Sequence, residues 1–228
     1  MWQHLRNMEN KKSALLISGG HIDIEYTKKY ISTRNYDIVI AVDGGLKSAM
    51  KLEVMPDYIV GDFDTIEEDI LKKYTQIDGV SIIRLNPEKD LTDTQSAIEK
   101  AIELSADYIE IIGGTGTRLD HTIANIHTLQ MMEGRCSEAV ITNENNRIRI
   151  IYDKYVIKKN EQFGKYVSFL PLTDVVEKIT LTGFKYPLKN YDFTIKGTLS
   201  LGVSNEIIDE EAEVSLKSGR LIMIESRD

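Results

Sequence analysis

Short, unbroken apolar runs recur along the first two-thirds of the chain, and nearly every one stops at glycine or aspartate. Ala14–Ser18, Asp37–Val42, Pro56–Val60, Val80–Leu85 and Tyr108–Ile112 are each about one strand long. They are followed by Gly19-Gly20, Asp43-Gly44-Gly45, Gly61-Asp62-Phe63-Asp64, Asn86-Pro87 and Gly113-Gly114. Strands that are apolar throughout, rather than at alternate positions, belong in a sheet covered on both faces. Segments of helical period lie between them. One is Leu46–Lys51. A second opens at Asp93, which is placed to cap it, and carries Ala97, Ile98, Ala101 and Ile102 on one stripe. A third is Thr117–Met132, with Ile123, Ile126 and Leu129 at helical spacing. This alternation predicts a mostly parallel α/β sheet.

Past residue 148 the helical period stops. Tyr166–Leu170, Val176–Leu181, Asp192–Ile195, Ala212–Leu216 and Arg220–Ile224 are short β-type runs. Turn signals at Thr182-Gly183, Lys196-Gly197, Leu201-Gly202 and Ser218-Gly219 separate them. Short strands with regular turns predict a small antiparallel β-sandwich. The expected fold class is therefore α/β plus all-β, with an N-terminal α/β domain over 1–148 and a C-terminal β-sandwich over 149–228. A (β/α)8 barrel is excluded, because the second part supplies no helices.

The chain has 228 residues, with 28 Lys and Arg against 36 Asp and Glu, a net charge of -8. Most of that surplus lies in the α/β part. A nucleic acid or an anionic membrane needs a basic face, so neither is an expected partner. No apolar run reaches the ~18 residues of a membrane-spanning helix. The opening MWQHLRNMENKK is polar and lacks the apolar centre of a secretory signal. Its first ten residues match no pattern, which leaves a disordered start or initiation at Met8 as alternatives. Cys136 is the only cysteine, so neither an internal disulfide nor a cysteine metal site can form. A reducing, cytoplasmic setting is expected.

Ligands of open α/β sheets bind beyond the carboxyl ends of the strands. If the predicted sheet is parallel, Asp43, Asp62, Asp64, Asp90, Asp93 and Asp120 gather along one rim. Taken alone, each aspartate reads as a turn former. Together they repel one another, and they stay ionised only when a cation joins them. Oxygen donors of this kind suit Mg²⁺, which binds one or two carboxylates plus substrate phosphates. Asp62 and Asp64, two apart in an extended segment, point to the same side. With Asp90 they form the candidate metal group. The segment Gly113-Gly114-Thr115-Gly116-Thr117-Arg118 is not a Walker A loop, since no Gly-Lys-Ser/Thr follows. Its amides and Arg118 suit phosphate oxygens, as does the backbone at Gly44, although both also read as tight turns. His121 and Asn125 share one face of the third helix. His121 reads as a packed histidine before it reads as a base.

These segments resemble the thiamine pyrophosphokinase (thiamine diphosphokinase) family. The resemblance is carried by AVDGG (Ala41–Gly45), PDYIVGDFDTI (Pro56–Ile66), KDLTDTQ (Lys89–Gln95), GGTGTRLDHTIANI (Gly113–Ile126) and GTLSLGVSNEI (Gly197–Ile207). It implies an α/β catalytic domain and a thiamine-binding β-sandwich, in a homodimer with active sites at the subunit interface. The implied reaction moves the pyrophosphoryl group of ATP onto the hydroxyl of thiamine, giving thiamine diphosphate and AMP. By motif, Asp43, Asp62, Asp64, Asp90 and Asp93 are positions for Mg²⁺ and the ATP phosphates, with Asp64, Asp93 or Asp90 catalytic. Arg118, Asp120, His121 and Asn125 form the next cluster, and Ser204 and Asn205 face thiamine. Thr117 and Gln95 depart from the family's commoner glycine and acid. Some members stack a tryptophan on thiamine, but Trp2, the only tryptophan here, lies outside the match. Tyr186, Tyr191 and Phe193 are the aromatic alternatives, absence of stacking being the other. Two other readings share the same rim: a diphosphokinase for another small alcohol, and a Mg²⁺-nucleotide sensor without turnover.

Overall fold

The computed structural model describes residues 11–64, 66–86, 90–197 and 199–228, the Leu199 side chain excepted. Residues 1–10, with Trp2 and Met8, lie outside the described residues, as do Thr65, Lys89 and Thr198 of the motifs above. The chain divides into two compact units, Asn10–Glu144 and Asn145–Asp228, a break shortly before the predicted division.

The first unit alternates β1 (Ser13–Ile17), α1 (Ile24–Ile31), β2 (Ile38–Val42), α2 (Gly45–Leu52), β3 (Tyr58–Gly61), α3 (Glu68–Tyr74), β4 (Ser81–Arg84), α4 (Asp93–Glu103), β5 (Tyr108–Ile112), α5 (Leu119–Thr128) and β6 (Glu138–Thr142). Its strands run parallel in the order β6-β5-β1-β2-β3-β4. The chain winds outward from β1 to β4, then crosses to the far side of β1. The order thus reverses between β1 and β5, which makes their carboxyl ends a topological switch point. β1 is buried at every position, as the apolar runs require.

Three aspartates set the register at the opposite edge of the sheet. Asp37, one residue ahead of β2, accepts from the Ser13 N–H and hydroxyl at 2.7 and 2.8 Å. Asp57, ahead of β3, accepts from the Val39 N–H at 2.7 Å. Asp107, ahead of β5, accepts from the Lys12 N–H at 3.3 Å. Each closes the first rung of a parallel ladder whose end would otherwise be open.

Two helix expectations are corrected. Thr92, not Asp93, caps α4: its hydroxyl accepts from the Gln95 N–H while the Gln95 side chain accepts from the Thr92 N–H. That capping box places Asp93 in the first turn. Of the predicted stripe, Ala97, Ile98 and Ala101 are fully buried, and the helix packs against β1, β2 and β3, whereas Ile102 is half-buried. The predicted Thr117–Met132 helix is instead α5 followed by a 3-10 turn over Leu129–Met132. Ile123, expected on its buried face, is 56% exposed, whereas Leu129 is buried. α1, α3 and β6 add to the elements that the sequence pattern singles out.

The second unit holds β7 (Asn146–Ile151), β8 (Lys154–Lys158), β9 (Tyr166–Pro171), β10 (Val175–Thr182), β11 (Leu188–Thr194), β12 (Asn205–Glu206), β13 (Glu211–Ser215) and β14 (Leu221–Ser226). They form two antiparallel layers, β12-β9-β14-β7 and β11-β10-β13-β8. One core joins the layers, with Phe169, Phe184 and Phe193 at its centre. This is the expected sandwich, enlarged by β7, β8 and β12. β7 carries Arg149 at an inward position, which hides the strand pattern. The buried guanidinium is matched by the buried Glu225 carboxylate on β14 at 3.0 Å and by the Tyr155 hydroxyl.

Candidate active site

The backbone of β2 and β3 brings the acidic rim together. After β2, the Asp43 N–H donates to the Val60 carbonyl at 2.8 Å, which fixes Asp43 beside the end of β3. Its φ of 42° is left-handed, a conformation that aspartate tolerates better than most side chains. The Asp43 carbonyl accepts from the Leu46 N–H and so starts α2, with Gly44 as the N-cap. After β3, the Asp64 N–H donates to the Asp62 carboxylate at 3.3 Å. One carboxylate oxygen from each of Asp43, Asp62 and Asp64 lies within 4.8 Å of the others.

Electrostatics agrees with this convergence. The Asp64 carboxyl titrates above its usual range, chiefly because of the Asp62 charge, then slight lost hydration, then the charges of Asp43 and Asp93. Asp93, in the first turn of α4, therefore belongs to the same negative field. Its neighbour Thr94 is tied to Ser18, the residue after β1, at 3.2 Å between hydroxyl oxygens. Among the described residues the converging metal group contains Asp43 rather than Asp90, which is exposed just ahead of α4. The donor set is three carboxylates and no nitrogen or sulfur, which fits a hard divalent cation such as Mg²⁺.

At the switch point the two glycine loops bind each other. The Gly20 N–H donates to the Gly113 carbonyl at 2.9 Å, and the His21 N–H to the Thr115 carbonyl at 2.8 Å. A Cβ on Gly20 would stand 2.3 Å from the Thr115 oxygen, so only glycine allows this approach. Side chains hold the rest of the loop. Asn125 donates to the Gly114 carbonyl at 2.8 Å, Asn143 to the Thr115 hydroxyl at 2.9 Å, and Thr122 accepts from the Gly116 N–H at 3.2 Å. Asn125 is thus committed to the loop backbone. Arg118 and Asp120 pair with each other at 2.6 Å, both largely exposed. The bonded guanidinium pulls the Asp120 carboxyl below its usual range. His121 is also exposed, 3.9 Å from Asp120.

In the second unit, Ser204 has a left-handed φ of 57° and donates its N–H to the Ser168 hydroxyl. Asn205 is 1% exposed; its amide accepts from the Tyr186 N–H and donates to the Tyr186 carbonyl. Of the aromatic alternatives, Phe193 is fully buried and cannot meet a ligand, a correction that its place in the core explains. Tyr186 is 57% exposed, with the Lys185 ammonium 5.6 Å from its ring centroid. Ser18, Asn143 and Arg84 lie outside the motifs, and their places at or beside the carboxyl ends of strands are the sequence signal for them. Thr94 lies within Lys89–Gln95, in the first turn of α4, a motif whose aspartates alone drew attention.

Two family models match the chain: thiamin pyrophosphokinase, catalytic domain, over residues 29–141, and thiamin pyrophosphokinase, vitamin B1 binding domain, over residues 154–221. Thiamine pyrophosphokinase of Bacillus subtilis is 34% identical over 197 residues, covering 86% of this chain and 90% of that protein. The crystal structure of thiamine pyrophosphokinase from Bacillus subtilis superposes with a TM-score of 0.83 at 31% identity, covering 95% of this chain and all of the other. That of thiamin pyrophosphokinase from Geobacillus thermodenitrificans does so with a TM-score of 0.80 at 29% identity, covering 95% and 98%. With these matches, the α/β unit and its β-sandwich are those of a transferase of the pyrophosphokinase class. The chain belongs to the thiamine pyrophosphokinase family.

Proposed function

We propose that this chain is a thiamine diphosphokinase that transfers the pyrophosphoryl group of ATP to the hydroxyl of thiamine. The convergence of Asp43, Asp62 and Asp64 carries the proposal on the structural side, and the family supplies the substrates. These three carboxylates would hold Mg²⁺, and the ion would neutralise charge on the polyphosphate oxygens. Arg118 and the loop amides bind the polyphosphate and align it; pyrophosphoryl transfer needs positioning and charge neutralisation more than covalent help. Asp93 accepts the thiamine hydroxyl proton. The hydroxyl oxygen bonds to the β-phosphorus, the bond from that phosphorus to the α,β-bridging oxygen breaks, and AMP leaves.

Thiamine lies on the β-sandwich unit. Tyr186 is the stacking aromatic: its backbone is clamped by Asn205, its ring is exposed, and a cation already sits near its face. A thiazolium cation suits such a ring. The proposal includes a homodimer, supported by Leu119 and Ile123, one turn apart on α5 and 70% and 56% exposed. It also includes a cytoplasmic setting, supported by the lone Cys136. Asp64→Asn tests the site. AMP release from ATP, Mg²⁺ and thiamine should fall about 100-fold or more, and near-normal release would remove the metal assignment.

A further inference from the structure

Arg84 is the last residue of β4, opposite Gly61 in the parallel register. Its Nη1 donates to the Asp62 carbonyl at 3.3 Å, and its guanidinium carbon lies 5.2 Å from the centroid of the Phe63 ring. Both contacts fall on one turn, Asp62-Phe63-Asp64, which supplies two of the three converging carboxylates. The turn is strained. Phe63 has a φ of 65°, a left-handed conformation that an aromatic residue keeps only where its surroundings enforce it. Burial holds the Phe63 ring from the core side, where it is 6% exposed. A Cβ on Gly61 would meet that ring at 3.2 Å and Asp43 at 3.1 Å, so the turn is packed tightly against the third carboxylate as well. Arg84 supplies the hold from the solvent side.

We propose that Arg84 is a positioning residue for the carboxylate triad. By bonding the Asp62 carbonyl and lying against Phe63, it keeps the turn in the form that sets Asp62 and Asp64 beside Asp43. This inference rests on the metal-binding role proposed for the triad. A guanidinium suits the task because its planar fork can donate to a carbonyl while its face meets an aromatic ring. The bond is to a main-chain oxygen, so Arg84 leaves the carboxylates themselves available to a cation.

The test measures Mn²⁺ binding to the full chain without nucleotide, by electron paramagnetic resonance, for wild type, Arg84→Met and Arg84→Lys. Circular dichroism checks that each variant is folded. Methionine keeps an apolar stem but neither donates nor carries charge. Its Mn²⁺ affinity should fall about 10-fold or more, the usual effect of losing a partner that orients metal ligands. Lysine can still reach the carbonyl and the ring, and it should recover most of the loss. A residue serving only as counter-charge would give the opposite sign, since removing a cation beside a divalent site tightens binding. Unchanged or tighter Mn²⁺ binding in Arg84→Met would overturn the proposal, as would absence of binding in wild type. Wild-type conversion of ATP and thiamine to AMP is measured separately. If conversion fails while the Mn²⁺ pattern holds, the function proposed above is lost and the role of Arg84 stands.

Discussion

Asp37 and Asp57 stand one residue ahead of β2 and β3, while Asp43 and Asp62 stand one residue behind the same strands. The chemistry of the side chain is identical, and its surroundings differ. The leading pair accept backbone N–H groups and fix register. The trailing pair face each other and Asp64. The Asp37 carboxyl is held below its usual range, first by the Ser13 N–H. A group whose pKa is depressed on folding adds stability above its unfolded value, near 3.9, and that stability is lost as pH falls through the lower folded value. Asp37→Ala should therefore lower the melting temperature at pH 7, and the difference from wild type should shrink below pH 4. A difference independent of pH would mean that packing, not the ionised bond, is what the substitution removes. At the rim the sign is reversed. Asp64 titrates high because it is crowded by like charge, so Asp64→Asn should not destabilise the apo protein while it abolishes turnover.

Among elements, β5 and β6 depend on a buried carboxylate that no motif announces. Glu110, at the middle of β5, is fully buried. It accepts from Tyr30 of α1 at 2.6 Å, Tyr36 at 2.7 Å, Thr142 of β6 at 2.6 Å and Tyr108 at 3.2 Å. The cluster ties α1 and the loop before β2 to strands on the other side of β1. Burial and the Glu110 charge push the Tyr36 phenol well above its usual range, so it stays a donor. Glu110→Ala would leave several buried hydroxyls without their acceptor and should cost about 3 kcal/mol or more, read by urea unfolding. Tyr108→Phe, which deletes the longest of the four bonds, should cost the least of the three tyrosine substitutions. Equal costs would show that ring packing dominates. The apolar pattern that marks strands is broken at such places: Glu110 and Arg149 are charged and buried, and partners such as Tyr30 and Thr142 for the one and Glu225 for the other lie far along the chain. β5 was recognisable because its other residues are apolar. β7 was not, with arginines at two of its six positions.

At the level of the whole molecule, the strand ends were the legible part. Gly and Asp after apolar runs mark the rim in the sequence itself, because a parallel sheet delivers all its carboxyl ends to one edge. Which carboxylates meet was not legible. Asp43 rather than Asp90 joins Asp62 and Asp64 because the Asp43 N–H bonds to β3, a contact between residues remote in sequence. The exposure of Ile123 was equally invisible, since apolar spacing on a helix does not say whether its neighbour is the same chain or another. The homodimer proposal turns that exposure into a prediction. Sedimentation should give twice the 25.9 kDa of one chain, and Ile123→Glu should shift the protein toward monomer. A monomeric wild type would leave the exposed α5 residues without that explanation.

The central claim is that this chain moves two phosphates at once from ATP to thiamine. Phosphorus NMR of a mixture of the protein, ATP, Mg²⁺ and thiamine tests it most directly. Thiamine diphosphate and AMP should appear in equal amounts, with no ADP. Accumulation of ADP and a thiamine monophosphate, or ATP left intact beside thiamine, would contradict it.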